Sequence, residues 1–355
     1  MTTSGTAMPP PAIPRIDLHR HLDGNLRLQT CIELAQEHGV SFPETELAAL
    51  RPYLQIVEPG PDLPAFLDKV QRMASVLGDA DACRRVAYEN VEDAAHERLD
   101  YVELRFSPAF MAAAHGLPLE SVVDGVIDGV AAGRGEFPVK VQLIGILSRT
   151  FGPDSATREL EALLSHKADI TGLDLAGDEA RWPGELFVDH FRRGRDAGWA
   201  ITVHAGEASG ARSVWQALRD LGAERLGHAT RAIEDPSLLD YLAEHGIGIE
   251  SCLTSNIQTN TAASYASHPL RHFLDRGLLA TINTDDPTVS DIDLDYELDV
   301  AAPKAGLSKE QVRRAQKNAV EIAFLSTHQK KELLDAAVAN PDPGRHAVGN
   351  RLDRG

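Results

Sequence analysis

The second half of the chain repeats one unit: a helical stretch closed by glycine, followed within a few residues by a short apolar run. FRRGRDAG ends at Gly198 before WAITVH, and WQALRDLG ends at Gly222 before AERLGH. LLDYLAEHG ends at Gly246 before IGIES, and HFLDRG ends at Gly277 before LLATINTD. Glycine just past a helix end takes the left-handed conformation at no steric cost. Apolar runs of about four to eight residues suit strands covered on both faces. Helix and strand in strict alternation imply parallel strands joined by crossover helices.

Upstream strand candidates complete the set. They are 15–20, 100–106, 139–146, 170–175, 200–203, 225–227, 246–250 and 279–283. About eight parallel strands are the number that closes a (β/α)8 TIM-type barrel, the fold class expected here; an open doubly wound sheet is the alternative. The long gap between the first two candidates, about residues 27–98, carries helical patterns such as LQTCIELAQEHG. It reads as extra helices inserted after the first strand, over the catalytic end of the barrel. Residues 15–338 are expected to form a single domain, with 1–14 a flexible leader and 339–355 a flexible tail.

Composition narrows the class. Hydrophobic residues make up 43% of the chain and aromatics only 5%, so the core must rest on Leu, Val, Ile and Ala. The N-terminus lacks the basic and apolar regions of a signal peptide, and no apolar run is long enough to span a membrane. Cys31, Cys83 and Cys252 are far apart and form no CxxC, which fits a reducing cytoplasm and argues against a thiolate site. The net charge of −18 opposes binding to a phosphate backbone, so no nucleic-acid partner is expected.

The chemistry-bearing residues fall at the strand ends. In RIDLHRHLDGN, alternation places Asp17, His19, His21 and Asp23 on one side, with Ile16, Leu18 and Leu22 on the other. ITVHAGE puts His204 at the end of the fifth strand and Glu207 in the following turn. ERLGHA puts His228 at the end of the sixth, and TINTDDP puts Asp285 and Asp286 at the end of the eighth. Each has an ordinary reading alone: a packed histidine, an acid at a helix start, a turn before proline. In a barrel, however, these ends share one mouth. Imidazoles with a carboxylate suit zinc or a similar first-row ion, and a bound water would have its pKa lowered to about 7. The chain has no HExxH, GxSxG or GxxxxGK[ST] motif. Gly125, Gly129 and Gly133 read as helix packing, and His38, His115, His166, His245 and His268 as solvated or structural.

Taken in order, HRHLDGN, YVELRFSP, LDLAGDE, TVHAGE, ERLGH, ESCLTSNIQT and INTDDP resemble the signature segments of the adenosine deaminase family, within the amidohydrolase superfamily. The resemblance covers about residues 15–335. It implies one Zn2+ per subunit held by His19, His21, His204 and Asp285. It implies that Glu207 donates a proton to purine N1 and that His228 orients the attacking water and stabilises its charge. Asp286 would meet N7, the Gly177 backbone N3, and Asp23 a ribose hydroxyl, with His21 also bordering the substrate. The implied reaction is hydrolytic deamination of adenosine and 2′-deoxyadenosine. The alternatives are adenine or 6-aminodeoxyfutalosine as substrate, or a non-catalytic metal- or nucleoside-binding barrel. No lysine lies in LDLAGDE, where binuclear superfamily members carry a carboxylated lysine, so a single metal is implied; Lys140 starts the third strand, at the wrong end. The His/Cys/Cys deaminase signature, H-x-E with P-C-x-x-C, is absent. Two positions depart from the family: Ala229 stands where glycine is usual, and Thr281 where serine is common.

Overall fold

Eight parallel strands, each paired with its neighbours in sequence order, surround a common axis in the computed structural model, which describes residues 12–339. They are β1 (Ile16–His21), β2 (Tyr101–Phe106), β3 (Lys140–Ser148), β4 (Ile170–Ala176), β5 (Ala200–Ala205), β6 (Arg225–His228), β7 (Gly248–Ser251) and β8 (Leu279–Ile282). Every strand expected from the sequence is present, with ends moved by a residue or two. The open-sheet alternative falls because β8 runs on to meet β1. His21 N–H donates to Asp285 O and Asp285 N–H donates to His19 O, both at 2.8 Å, and Leu18 N–H donates to the Asn283 side chain at 3.0 Å. The sheet thus becomes a nearly closed barrel. The leader expected at 1–14 and the tail expected at 339–355 lie almost wholly outside the described residues.

Four helices separate β1 from β2: α1 (Leu28–Glu37), α2 (Leu47–Leu54), α3 (Leu63–Ala74) and α4 (Ala80–His96). Asp62 caps α3 by accepting from Ala65 N–H at 3.0 Å, and Asp79 caps α4 by accepting from Ala82 N–H at 2.8 Å. The buried residues of α3, Leu63, Phe66, Val70, Met73 and Ala74, recur at helical spacing on one stripe. Helix α4 packs closely on the helix Leu119–Glu136 through the glycine series seen in the sequence. A Cβ at Gly129 would lie 2.2 Å from Arg84 O, and one at Gly125 would lie 2.5 Å from Ala80 O. No helix among the described residues is long and apolar enough to cross a membrane.

The barrel interior is more polar than composition suggested. On β2, Val102, Leu104 and Phe106 join the hydrophobic core, while the alternating Glu103 and Arg105 are fully buried among other charges. Arg105 reaches Asp174 and Glu250, each at 2.8 Å, and Arg225 Nε reaches Glu250 at 2.6 Å while its far nitrogen binds Glu103. Charges removed from water persist only when paired and hydrogen-bonded in this way.

Candidate active site

The carboxyl ends of β1, β5, β6 and β8 converge on one cavity. His21, Asp23, Gly177, His204, Glu207, His228, Asp285 and Asp286 all line it, while His19 sits beneath them at 0% exposure. Leu63, Phe66, Leu67 and Val70 of α3 form an apolar wall with Phe110 and Ile146. The inserted helices therefore border the substrate space, and no lysine or arginine is among the lining residues.

Backbone geometry explains how the side chains reach it. Asp23 lies in the turn just past β1, not on the strand, yet keeps the side predicted by alternation. His228, Ala229 and Asp285 all take left-handed backbone, with φ of 59°, 50° and 68°. Each such non-glycine residue costs of order 1–3 kcal/mol, strain that tends to collect at functional sites. Two glycines are required by contact. A Cβ on Gly24 would stand 1.5 Å from Asp286 Oδ1, and Gly177 has φ +111° with Thr150 Oγ1 only 2.3 Å from any added Cβ.

His19 Nε2 lies 3.2 Å from Asp285 Oδ1, His21 Nε2 lies 3.4 Å from the same oxygen, and His21 Nε2 lies 3.3 Å from His204 Nε2. Four ligands placed tetrahedrally at about 2.0–2.1 Å from zinc stand roughly 3.3–3.4 Å apart, and these three separations have that size. His19 Nε2 is buried without a hydrogen-bond partner, as expected of a lone pair reserved for a metal. His19, His204, His228 and Asp285 also form a looser group with ligand atoms within 4.8 Å, as do His21, Asp285 and Asp286. His228 Nε2 is 3.9 Å from Asp285 Oδ2 and 3.7 Å from Glu207 Oε2, outside the tight set.

The remaining ring nitrogens are held from below. His19 Nδ1 is 2.8 Å from Glu250 Oε2, and His204 Nδ1 is 3.0 Å from Asp174 Oδ2. Each carboxylate accepts the Nδ1 proton and leaves Nε2 free to bind a metal. Arg105 joins the two carboxylates, and Ser255 Oγ–H donates to Asp285 Oδ2.

Burial and charge divide the acids. Burial, then the Asp285 and Glu179 carboxylates, push Glu207 up to about 8. Burial also raises Asp286 well above the carboxylate range against the pull of His21, with Asp285 adding to the rise. Burial would raise Asp285 too, but His228, His19 and His21 hold it well below. The site thus offers two acids of raised pKa beside one carboxylate. For His21, burial is outweighed by Asp286, Asp23 and Asp285, which lift it to about 9. A field that favours a proton there also favours a dication. Burial lowers His204 to about 3, keeping the ring neutral.

Glu207 owes its placement to a residue that the sequence left without a role. The Glu179 carboxylate accepts four successive N–H groups, from Gly206 (2.7 Å), Glu207 (3.1 Å), Ala208 (2.7 Å) and Ser209 (2.9 Å), and the Ser213 hydroxyl. Arg105, Asp174, Glu250 and Asn256 were likewise unassigned. For Arg105, Asp174 and Glu250 the signal was present, because charged residues inside apolar strand motifs must be paired in a buried barrel; Asn256, an uncharged helix residue, gave none. His268 bears out the structural one of its two sequence readings. It is buried and lies 3.0 Å from Asn256, whose amide lies 3.0 Å from His228. Lys140, exposed at the opposite end and paired with Glu332, takes no part.

The chain is similar to known proteins in both sequence and fold. The sequence profile of the family described as adenosine deaminase matches residues 14–340. An adenosine deaminase of Vibrio cholerae is 60% identical over 326 residues, spanning 92% of this chain and 98% of that protein. Among solved structures, the adenine deaminase from Arthrobacter aurescens superposes with a TM-score of 0.84 at 27% identity, covering 93% of this chain and 98% of its own. An amidohydrolase from Burkholderia ambifaria with bound Zn superposes with a TM-score of 0.81 at 25% identity, covering 95% of this chain and 98% of its own.

Proposed function

This chain belongs to the adenosine deaminase family, and from that premise we propose that it converts adenosine and 2′-deoxyadenosine to inosine and 2′-deoxyinosine, releasing ammonia, with one zinc ion per subunit. Adenosine deamination is a hydrolase reaction at a cyclic amidine. The observation that carries the reading is three separations of 3.2–3.4 Å, His19–Asp285, Asp285–His21 and His21–His204, beside a His19 nitrogen without a hydrogen bond. These four residues would hold the ion. Bound zinc would supply a water of lowered pKa as the nucleophile for purine C6.

The chain's own groups do the rest. Glu207, kept neutral by burial, gives its proton to N1 and prevents negative charge from building up on the ring. Asp286, whose pKa burial also raises, would donate to N7 in its protonated form, since a carboxylate would repel that acceptor. The Gly177 backbone meets N3. His228 faces the attacking oxygen. Asp23 Oδ1, buried 3.5 Å from His21 Nδ1 while Oδ2 accepts from Ser107 N–H at 3.2 Å, takes a ribose hydroxyl.

Adenine fits less well as the substrate. The adenine deaminase likeness is at 27% identity, against 60% for the adenosine deaminase relative, and adenine would bring Asp23 no ribose hydroxyl to accept from. AMP would bring a phosphate to a cavity whose lining holds no lysine or arginine. Three unpaired buried cysteines support a cytoplasmic setting. The test is an absorbance assay of adenosine beside adenine and AMP, with metal analysis of the same sample. Adenosine should turn over far faster than the others, at one zinc per chain. No change in adenosine absorbance with zinc-loaded protein would sink the reading.

A further inference from the structure

A buried hydrogen-bond chain leads away from His228, and its proton positions can be read from the far end. The backbone N–H of Leu270, the first residue of the helix Leu270–Asp275, donates to His268 Nδ1 at 3.2 Å. A backbone N–H can only donate, so Nδ1 is an acceptor and the proton of the neutral ring sits on Nε2. His268 Nε2 lies 3.0 Å from Asn256 Oδ1 and therefore donates to it. That fixes the amide, whose Nδ2 donates to His228 Nδ1 at 3.0 Å. His228 is left with its proton on Nε2, the nitrogen 3.7 Å from Glu207 and 3.9 Å from Asp285. His268, Asn256 and His228 are 4%, 0% and 1% exposed, so bulk water does not compete for these bonds.

We infer that Asn256 and His268 are positioning residues that hold His228 as its Nε2–H tautomer, which makes it a hydrogen-bond donor towards the attacking oxygen and not a base. This deepens, and rests on, the reading that His228 faces that oxygen. With Nδ1 engaged, the ring has no lone pair turned to the cavity and cannot take a proton from water. It can stabilise negative charge gathering on the oxygen, as a preorganised donor does elsewhere.

Long-range proton–nitrogen correlation spectra of the zinc-loaded, 15N-histidine enzyme test this, with His228 assigned by its loss in His228→Ala. The unprotonated nitrogen of His228 should be Nδ1. Asn256→Asp replaces the donor with an acceptor and should move the proton to Nδ1. It should lower kcat by about 10²-fold or more, a wrong tautomer elsewhere costing about 10⁴-fold, with KM and zinc content little changed. A protonated Nδ1 in the unmodified enzyme would overturn the inference, as would Asn256→Asp with kcat within twofold. Should that variant not fold, His268→Phe frees the Asn256 amide to invert and should give mixed tautomers; a single Nε2–H form there would also overturn it. Normal turnover by His228→Ala would remove the residue's catalytic role while leaving the spectrum intact, so the two readings fail separately.

Discussion

Glu207 must be neutral to deliver a proton, and its surroundings set the direction of the pH response. Its pKa is raised to about 8, so the proton is present at neutral pH and lost as pH rises. kcat/KM should therefore decline on the alkaline side, at lower pH once a dication offsets Asp285. A pH–rate profile that rises through the alkaline range would contradict this. Glu207→Gln should keep zinc and lose about 10²–10⁴ in kcat, the usual worth of general acid catalysis. Gly24 makes a second prediction at this scale. Its missing Cβ is where Asp286 Oδ1 sits, so Gly24→Ala must displace that carboxyl. A shift of about 1 Å can cost about 10²-fold. The expected result is a comparable fall in kcat/KM with zinc retained, and unchanged kinetics would show that Asp286 need not lie where it does.

Loops, more than strands, decide whether these residues meet. Glu179 comes from the segment after β4, two residues past Gly177, and its carboxylate gathers the N–H groups of 206–209 after β5. Gly177 and Glu207, the residues proposed to meet N3 and N1, are thus tied into one unit. Glu179→Gln keeps the shape but turns an N–H against donors. It should lower kcat by about tenfold or more, and the double variant with Glu207→Gln should be no worse than Glu207→Gln alone, because residues acting as a unit are not additive. Additive losses would mean that Glu179 acts elsewhere. This dependence marks what the sequence could show. Glycines after helices and apolar runs announced all eight strands, and alternation placed His19 and His21 together. Histidine and carboxylate at strand ends announced the cavity. Alternation could not show Asp174 under His204 or Glu250 under His19, since those pairs join residues 30 and 231 positions apart. His268 could be read no more closely than as solvated or structural because its partner, Asn256, belongs to a different element, the helix Leu253–Gln258.

For the molecule as a whole, the metal residues and the closure of the barrel are the same piece of structure. The seam between β8 and β1 rests on backbone bonds exchanged between Asp285 and the pair His19 and His21, and on the Asn283 side chain reaching Leu18 N–H. Most other neighbouring strands pair over longer registers, as β2 and β3 do from Tyr101–Lys140 to Phe106–Gly145, although β4 and β5 pair only at Gly172–Ala200 and Leu173–Ile201. A metal bridging His19, His21 and Asp285 would therefore clamp the seam directly, with His204 tying in β5. Anything that binds only the folded state stabilises it, by about 4 kcal/mol at a thousandfold excess over Kd. That corresponds to a melting shift of several degrees for a chain of this size. The distinguishing readout is where protection is lost. On chelation, amide hydrogen exchange should accelerate at His21 and Asp285 while the β2–β3 amides keep their rates, because local opening needs only the seam to part. Asp174→Asn tests the same coupling from beneath. It weakens the orientation of His204, should lower zinc affinity by about 10–100-fold, and should shrink the zinc-dependent gain in melting temperature. Uniform acceleration across all strands on chelation would instead mean that the metal supports the barrel as a whole and that the seam has no special dependence on it.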